Sequence, residues 1–124
     1  MEALGRHVLL ELYSCNAQKL NDLPFLRETM LSAAEETGAT VVGQIFHQFS
    51  PQGVTGVVAI AESHLCIHTW PEHRYAAVDI FTCGEAFEPT AAGRLITERL
   101  EATDSSVTEV RRGVLAVPDP ATPA

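Results

Sequence analysis

The sequence feature that most restricts the fold is a short turn, SPQG at 50–53, between two segments rich in β-branched and aromatic side chains, 40–49 and 54–61. Side chains of these kinds favour strands, whereas proline and glycine favour a tight reversal of the chain. The three segments together predict a β-hairpin. Because the two strands of a hairpin run antiparallel, the sequence favours a largely antiparallel sheet.

The hydrophobic periodicity predicts four further strands and two helices around this hairpin. The strands are expected at residues 5–14, 65–69, 75–82 and 106–112. The first helix should follow the capping residues Asn21 and Asp22 and end at Gly38, and the second should span about 90–100. We therefore predict an α+β fold, a two-layer α/β sandwich with a mainly antiparallel sheet and two helices on one face. The uncovered face predicts at least a dimer.

Length and composition bound the possible functions. A chain of 124 residues is expected to form one domain, 1–124, with a loose proline-rich tail at 117–124. The formal net charge of −8 argues against nucleic-acid binding, which needs clustered basic side chains, and suits cationic ligands. Three cysteines without CxxC spacing indicate a reducing cytoplasm. The apolar run Val8–Leu10 is interrupted by Glu11 and is too short to cross a membrane.

An unusual density of reactive side chains occupies residues 62–72, ESHLCIHTWPE. His64, Cys66 and His68 alternate along an expected strand, so they would share one face, and imidazole with thiolate is a ligand set for zinc. Without a fourth ligand this signal is weak. No metal is therefore expected, and a metal-binding protein remains an alternative.

Two other hypotheses for the same residues concern a nucleophilic serine. Ser63 with His68 and Asp79 could form a hydrolytic triad, but the GxSxG turn is missing. Glu62 and Ser63 stand where one strand ends and the next extended segment begins, so a sharp, strained turn is expected there. A serine at a strained peptide can attack its own preceding carbonyl. Cys83 precedes a glycine at the end of an expected strand. There it could be a reactive thiol at an exposed strand end or a small core residue.

The chain resembles the bacterial and archaeal S-adenosylmethionine decarboxylase proenzymes. The resemblance rests on four segments that together cover nearly the whole chain except the tail. They are LGRHVLLELYSC at 4–15, GATVVGQIFHQF at 38–49, GVTGVVAIAESHLCIHTWPE at 53–72 and YAAVDIFTCGE at 75–85. The combination of ESHL, HTWPE and FTCG is specific for this family.

This resemblance implies a self-processing enzyme whose cofactor is a pyruvoyl group made from Ser63. Cleavage between Glu62 and Ser63 would leave a β chain, 1–62, and an α chain, 63–124. His68 matches the proton acceptor of processing, and Cys83 matches the proton donor of decarboxylation. Thr55 stands where many members carry a serine that assists processing. It keeps the hydroxyl and adds a methyl group.

The resemblance also implies a substrate and a biological role. The amine of S-adenosylmethionine would form a Schiff base with the pyruvoyl carbonyl, lose carbon dioxide and yield the aminopropyl donor for spermidine biosynthesis. Phe49 and Trp70 are candidates for cation–π or adenine contacts, and Glu72 is a nearby carboxylate. The site is expected at or near the interface of a homodimer of αβ protomers in the cytoplasm, with Glu62 and Ser63 near His68 and Cys83.

Arg74 keeps a second substrate class open. Relatives with the same pyruvoyl chemistry act on L-ornithine or L-arginine, and the four matching segments do not separate these substrates. A guanidinium near the site would disfavour a cationic substrate and could bind a carboxylate. A non-catalytic relative is a further alternative, against which Ser63, His68 and Cys83 all speak because each is present.

Overall fold

The computed structural model describes residues 2–84 and 87–115. The elements follow one another as β1 (Glu2–Tyr13), α1 (Ala17–Leu20), α2 (Leu23–Glu36), β2 (Val41–Gln48), β3 (Val54–Ile60), β4 (Ser63–Trp70), a 3₁₀ turn (Pro71–His73), β5 (Tyr75–Thr82), α3 (Pro89–Arg99) and β6 (Asp104–Leu115). The six expected strands and two long helices are present in the expected order, and α1 and the 3₁₀ turn are additional. The tail at 117–124 lies outside the described residues.

The six strands form one sheet in the order β2-β3-β4-β5-β1-β6, and every neighbouring pair is antiparallel. The α+β prediction of a two-layer, mainly antiparallel sandwich is therefore confirmed. β4 is longer than the expected 65–69, because its pairing with β3 continues to the pair formed by Ile60 and Ser63. This extra length decides where the reactive side chains lie.

Both long helices begin at a carboxylate cap followed by proline. The Asp22 side chain accepts a hydrogen bond from the amide of Phe25 at 3.1 Å, and Glu88 accepts one from the amide of Thr90 at 3.2 Å. These side chains satisfy amides that the first helical turn leaves without a partner. α2 packs on β2 and β3, α3 packs on β5 and β1, and the two helices contact each other.

The core lies between these helices and one face of the sheet. Alternate residues of the central strands point into it, as shown by the strict alternation of buried and half-buried residues along β3 and β5. The largest fully buried side chains are aliphatic: Leu12, Leu20, Leu26, Met30, Leu65, Ile67, Ile80, Ile96 and Leu100. Each contributes roughly 1.5–3 kcal/mol by its removal from water.

The opposite face of the sheet is not covered by any element in the described ranges. It carries apolar side chains in the open, including Ile45, Trp70 and Val110, which are 70%, 40% and 39% exposed. Such a face is typical of a surface that pairs with another molecule. Across residues 2–84 and 87–115, no helix is long and apolar enough to span a membrane.

Candidate active site

The junction between β3 and β4 is a hairpin loop of two residues. Ile60 pairs with Ser63, so Ala61 and Glu62 alone make the reversal. Glu62 has a φ of 68°, in the left-handed region that side chains other than glycine adopt at a cost. The sharp, strained turn expected before Ser63 is present.

Ser63 is held between this turn and the end of β5. Its hydroxyl donates to the carbonyl oxygen of Glu62, with an Oγ to O distance of 2.5 Å, and its Oγ accepts the amide of Cys83 at 3.1 Å. The structure thus brings three of the predicted residues together. The nucleophilic oxygen already lies against the peptide unit that it would attack.

His68 lies elsewhere. It follows Ser63 by five residues on the regular strand β4, and at about 3.3 Å per residue the two Cα atoms are about 16 Å apart. The expectation that Glu62 and Ser63 lie near His68 of the same chain is therefore wrong. The pairing of β4 with β3 begins at Ser63 and keeps the whole segment from Ser63 to His68 extended. Nδ1 of His68 instead lies 3.1 Å from Oγ1 of Thr55, on the facing position of β3.

A cleft of about 310 Å³ opens beside this His68 and Thr55 pair. Its walls contain all three residues that the sequence proposed for substrate binding, Phe49, Trp70 and Glu72. The two aromatic rings are 48% and 40% exposed, so each offers a free face to a ligand. The cleft has an aromatic, partly acidic lining and lies just inside the usual size range of small-molecule sites.

Hydrogen bonds to a residue that the sequence did not predict to be functional hold the loop that carries Phe49. Oδ1 of Asn21, just after α1, accepts the amide of Gly53 at 2.9 Å and Nε2 of Gln48 at 2.8 Å. The amide of Phe49 donates to the carbonyl of Gly53 at 2.8 Å. Asn21 was recognised only as a capping residue, because nothing in the sequence shows which loop its side chain reaches.

A second aromatic cluster adjoins the cleft and shares Trp70 with it. The rings of Tyr13 and Tyr75 stack with centroids 5.5 Å apart, and Tyr75 and Trp70 lie 5.3 Å apart. The hydroxyl of Tyr75 donates to the carboxylate of Glu11. Burial of the hydroxyl and this nearby carboxylate raise the pKa of Tyr75 to about 12. Tyr75 therefore remains a neutral donor at physiological pH.

The residues proposed for a zinc site and for a hydrolytic triad do not come together within one chain, in the part that the structure describes. His64 packs edge-on against Phe81 with centroids 5.8 Å apart, and His68 contacts Thr55, so the two imidazoles are engaged separately. In the part of the chain that the structure describes, no group of three His, Cys, Asp or Glu side chains could hold a metal ion. A triad of Ser63, His68 and Asp79 is likewise not formed within one chain, because Ser63 and His68 are far apart.

A sequence model of the S-adenosylmethionine decarboxylase family matches residues 6–113. The chain belongs to this family.

Relatives in the S-adenosylmethionine decarboxylase family match over nearly their whole length. The S-adenosylmethionine decarboxylase proenzyme of Moorella thermoacetica is 55% identical over 121 residues, which are 98% of this chain and 97% of that protein. The proenzyme of Acetivibrio thermocellus is 54% identical over 118 residues, 95% of either chain. The crystal structure of the adenosylmethionine decarboxylase from Aquifex aeolicus superposes with a TM-score of 0.88 at 34% identity, covering 96% of this chain and 98% of that one.

Membership of the S-adenosylmethionine decarboxylase family makes this chain an enzyme. The position of Arg74 bears on its substrate. Arg74 is exposed, adopts a left-handed φ of 52° after the 3₁₀ turn, and its carbonyl accepts the amide of Cys15 at 3.0 Å. It lines neither the cleft beside His68 nor the adjoining aromatic cluster. The guanidinium thus gives no support to a substrate other than that of the family.

Proposed function

We propose that this protein is a self-processing, pyruvoyl-dependent decarboxylase that converts S-adenosylmethionine to its decarboxylated form, the aminopropyl donor of spermidine biosynthesis. The observation that carries the proposal is the 2.5 Å contact of Ser63 Oγ with the Glu62 carbonyl oxygen, in a hairpin loop where Glu62 has a left-handed φ. The contact holds the serine hydroxyl against the peptide unit whose carbon it would attack. The names of the relatives point to the same activity.

Processing begins with that attack. Oγ of Ser63 bonds to the carbonyl carbon of Glu62, the C–N bond breaks, and the hydroxyl proton passes to the released amine, which leaves an ester. Loss of the Cα proton of residue 63 then expels the Glu62 carboxylate and leaves dehydroalanine. Its imine form adds water and releases ammonia, so a pyruvoyl group heads the α chain, 63–124, and Glu62 ends the β chain, 1–62. The fold remains one domain of two chains.

The residues around Ser63 fit this cofactor, because the group forms from the chain where the turn already holds it. A pyruvoyl group supplies an electron-withdrawing carbonyl that accepts the electrons released when carbon dioxide leaves. The chain supplies the proton that replaces the lost carboxyl group, and we assign this role to the Cys83 thiol because its amide is bonded to Ser63 Oγ. Phe49 and Trp70 would contact the adenine or the sulfonium, and Glu72 the ribose side of the cleft.

The distance between Ser63 and His68 supports a homodimer with composite sites. Suppose that the open faces of two copies stack about a two-fold axis that runs perpendicular to the strands and passes near the middle of β4. The β4 strands of the two copies then run in opposite directions, so the Ser63 end of one copy lies over the His68 end of the other. His68 of a second copy would then accept the proton during ester breakdown, with Thr55 orienting its ring through the 3.1 Å contact. The exposed apolar side chains of this face support the same arrangement.

The alternatives receive less support. L-Ornithine and L-arginine have no ring for the aromatic walls at Phe49 and Trp70 to contact. A non-catalytic role leaves the arrangement of Ser63, Glu62 and Cys83 without a purpose. We place the enzyme in the cytoplasm because its three cysteines are free thiols, as in a reducing compartment.

Two measurements on the purified protein test the proposal. Intact mass spectrometry should find two fragments cut between Glu62 and Ser63, with the second blocked by a carbonyl group. Release of carbon dioxide should then be measured with S-adenosylmethionine, L-ornithine and L-arginine in parallel, with Ser63→Ala as the uncleaved control. A full-length species that persists through long incubation would refute the self-processing enzyme, and turnover of only a basic amino acid would refute its substrate.

A further inference from the structure

Glu62 occupies a backbone conformation that its side chain does not favour. In two-residue hairpin loops, a positive φ at the second position is usually taken by glycine or asparagine. Here that position is a glutamate with a φ of 68°. The surrounding structure must therefore supply the free energy that keeps it there.

Both sides of the loop are fixed. The strands pair without interruption from Thr55 with His68 to Ile60 with Ser63, and the amide of Ala61 donates to the carbonyl of Thr40 at 3.0 Å. After the loop, the amide of Cys83 holds Ser63 Oγ at 3.1 Å. Residue 62 cannot relax to a right-handed conformation without breaking these hydrogen bonds.

The crowded atoms belong to the peptide that would react. A left-handed conformation brings Cβ too close to the carbonyl oxygen that follows it. In Glu62 this oxygen is the one that the Ser63 hydroxyl contacts at 2.5 Å. Attack by Ser63 Oγ turns the planar carbonyl carbon into a tetrahedral centre, so this oxygen leaves the plane in which it crowds Cβ. Cleavage of the C–N bond then frees residue 62 from the planar peptide that holds it in the turn.

We propose that the left-handed conformation of Glu62 is a positioning device that raises the free energy of the precursor peptide and so accelerates the acyl shift to Ser63. This inference rests on the self-processing function proposed above. The residue's contribution comes from its backbone conformation and the presence of Cβ, and its carboxylate is not required. Cleavage should therefore become slower with substitutions that make the left-handed conformation easier.

The rate of precursor cleavage in three variants tests this. Precursors are made by cell-free translation and followed by mass, because cleavage during expression would hide the rate. Glu62→Gln keeps Cβ and the conformational preference, so it should cleave within about twofold of the unaltered chain. Glu62→Asn, which tolerates the left-handed region, should be severalfold slower. Glu62→Gly should be about 5- to 30-fold slower, which corresponds to the roughly 1–2 kcal/mol cost of the conformation.

A second readout distinguishes strain from general disruption. Hydroxylamine cleaves esters much faster than amides, so the fraction cleaved in a short pulse reports the amide-to-ester equilibrium. The cleaved fraction should fall in the order Glu62→Gln, Glu62→Asn, Glu62→Gly. Circular dichroism should show that all three precursors are folded. The matched control is Arg74→Gly, which relieves the same conformation, φ 52°, away from the Ser63 turn and should leave cleavage unchanged.

The inference is overturned by any result that departs from the expected order of cleavage rates. Equal rates for the Gln, Asn and Gly variants would show that the conformation has no effect. A slow Glu62→Gln would assign the role to the carboxylate, and a slow Glu62→Gly with a fast Glu62→Asn would assign it to loop rigidity. If Glu62→Gly does not fold, the comparison of Asn with Gln decides. Failure of the unaltered chain to cleave would instead refute the proposed function.

Discussion

The amide of Cys83 donates a hydrogen bond to Oγ of Ser63, with the two atoms 3.1 Å apart. The backbone of residue 83 therefore orients the serine, while the thiol is left for a different task. Because side-chain substitution preserves the amide, the two roles of this residue can be separated by mutation.

Replacing Cys83 with alanine should leave cleavage nearly intact and slow decarboxylation. Precursor cleavage is expected within about threefold of the unaltered rate, whereas kcat should fall by about 10²-fold or more, the usual contribution of a positioned proton donor. Intact mass gives the first quantity and carbon dioxide release the second. Cys66→Ala, which removes a half-buried thiol from another part of the sheet, is the control and should change neither. Undiminished turnover in Cys83→Ala would remove the thiol from its role.

Mixed dimers should show whether His68 acts on a second copy. Neither Ser63→Ala nor His68→Ala should complete processing alone. In a mixed dimer, however, Ser63 of the His68→Ala chain faces the intact His68 of the Ser63→Ala chain, so one site is complete. With random pairing at equal amounts, about half of the His68→Ala chains should be cleaved. Co-expression with different affinity tags, followed by intact mass, makes the measurement.

The two tags also provide the control for this experiment. The Ser63→Ala chain should remain full length in every combination, because it has no nucleophile. Cleavage of the His68→Ala chain in the absence of the other variant would show that His68 is not required. No cleavage in isolated mixed dimers would contradict the composite site.

The sequence was sufficient for the fold and for the turn before Ser63. Strand and helix patterns follow from side-chain alternation, and the turn before Ser63 follows from the short separation of two extended segments. Proximity across the sheet was harder to predict. Cys83 meets Ser63 through the pairing of β4 with β5, and that pairing depends on strand order, which the sequence does not encode locally.

The position of His68 shows a different limit. Whether it lies near Ser63 depends on where β4 begins, and strand ends are the least certain part of a pattern-based prediction. β4 begins at Ser63, two residues before the expected start, so Ser63 and His68 lie about 16 Å apart on one extended strand. Asn21 shows a third limit, because a side chain that joins two loops gives no periodic signal.

The cap of α3 should make stability depend on pH. Hydrogen bonds from the side chain and amide of Thr90 favour the charged form of Glu88 and lower its pKa, and Arg6 at 3.7 Å adds to this. A lowered pKa stabilises the fold above the ordinary glutamate pKa of about 4.3, and the effect is lost as pH falls below it. In the uncleaved Ser63→Ala background, Glu88→Gln should lose about 0.5–1 kcal/mol at pH 7.

Urea unfolding at neutral and acidic pH measures this contribution. The difference between Glu88→Gln and its parent should shrink towards zero as the pH falls below about 4. Glu98→Gln in the last turn of α3 is the control, and its sign should be opposite or near zero, because a negative charge opposes the dipole at that end. A deficit in Glu88→Gln that is independent of pH would mean that charge does not contribute to the cap.

Asn21 should control substrate affinity without touching the substrate. Its Oδ1 accepts from Gly53 and Gln48 and so fixes the loop that carries Phe49 into the cleft. Losing two hydrogen bonds of about 1 kcal/mol each should let that loop move, so Asn21→Ala should raise KM at least about fivefold with kcat within about twofold. Asn21→Asp retains an acceptor oxygen and should restore most of the affinity. Gln18→Ala, an exposed change on α1, should alter neither constant. A fall in kcat at unchanged KM, or an aspartate variant no better than alanine, would contradict this role for Asn21.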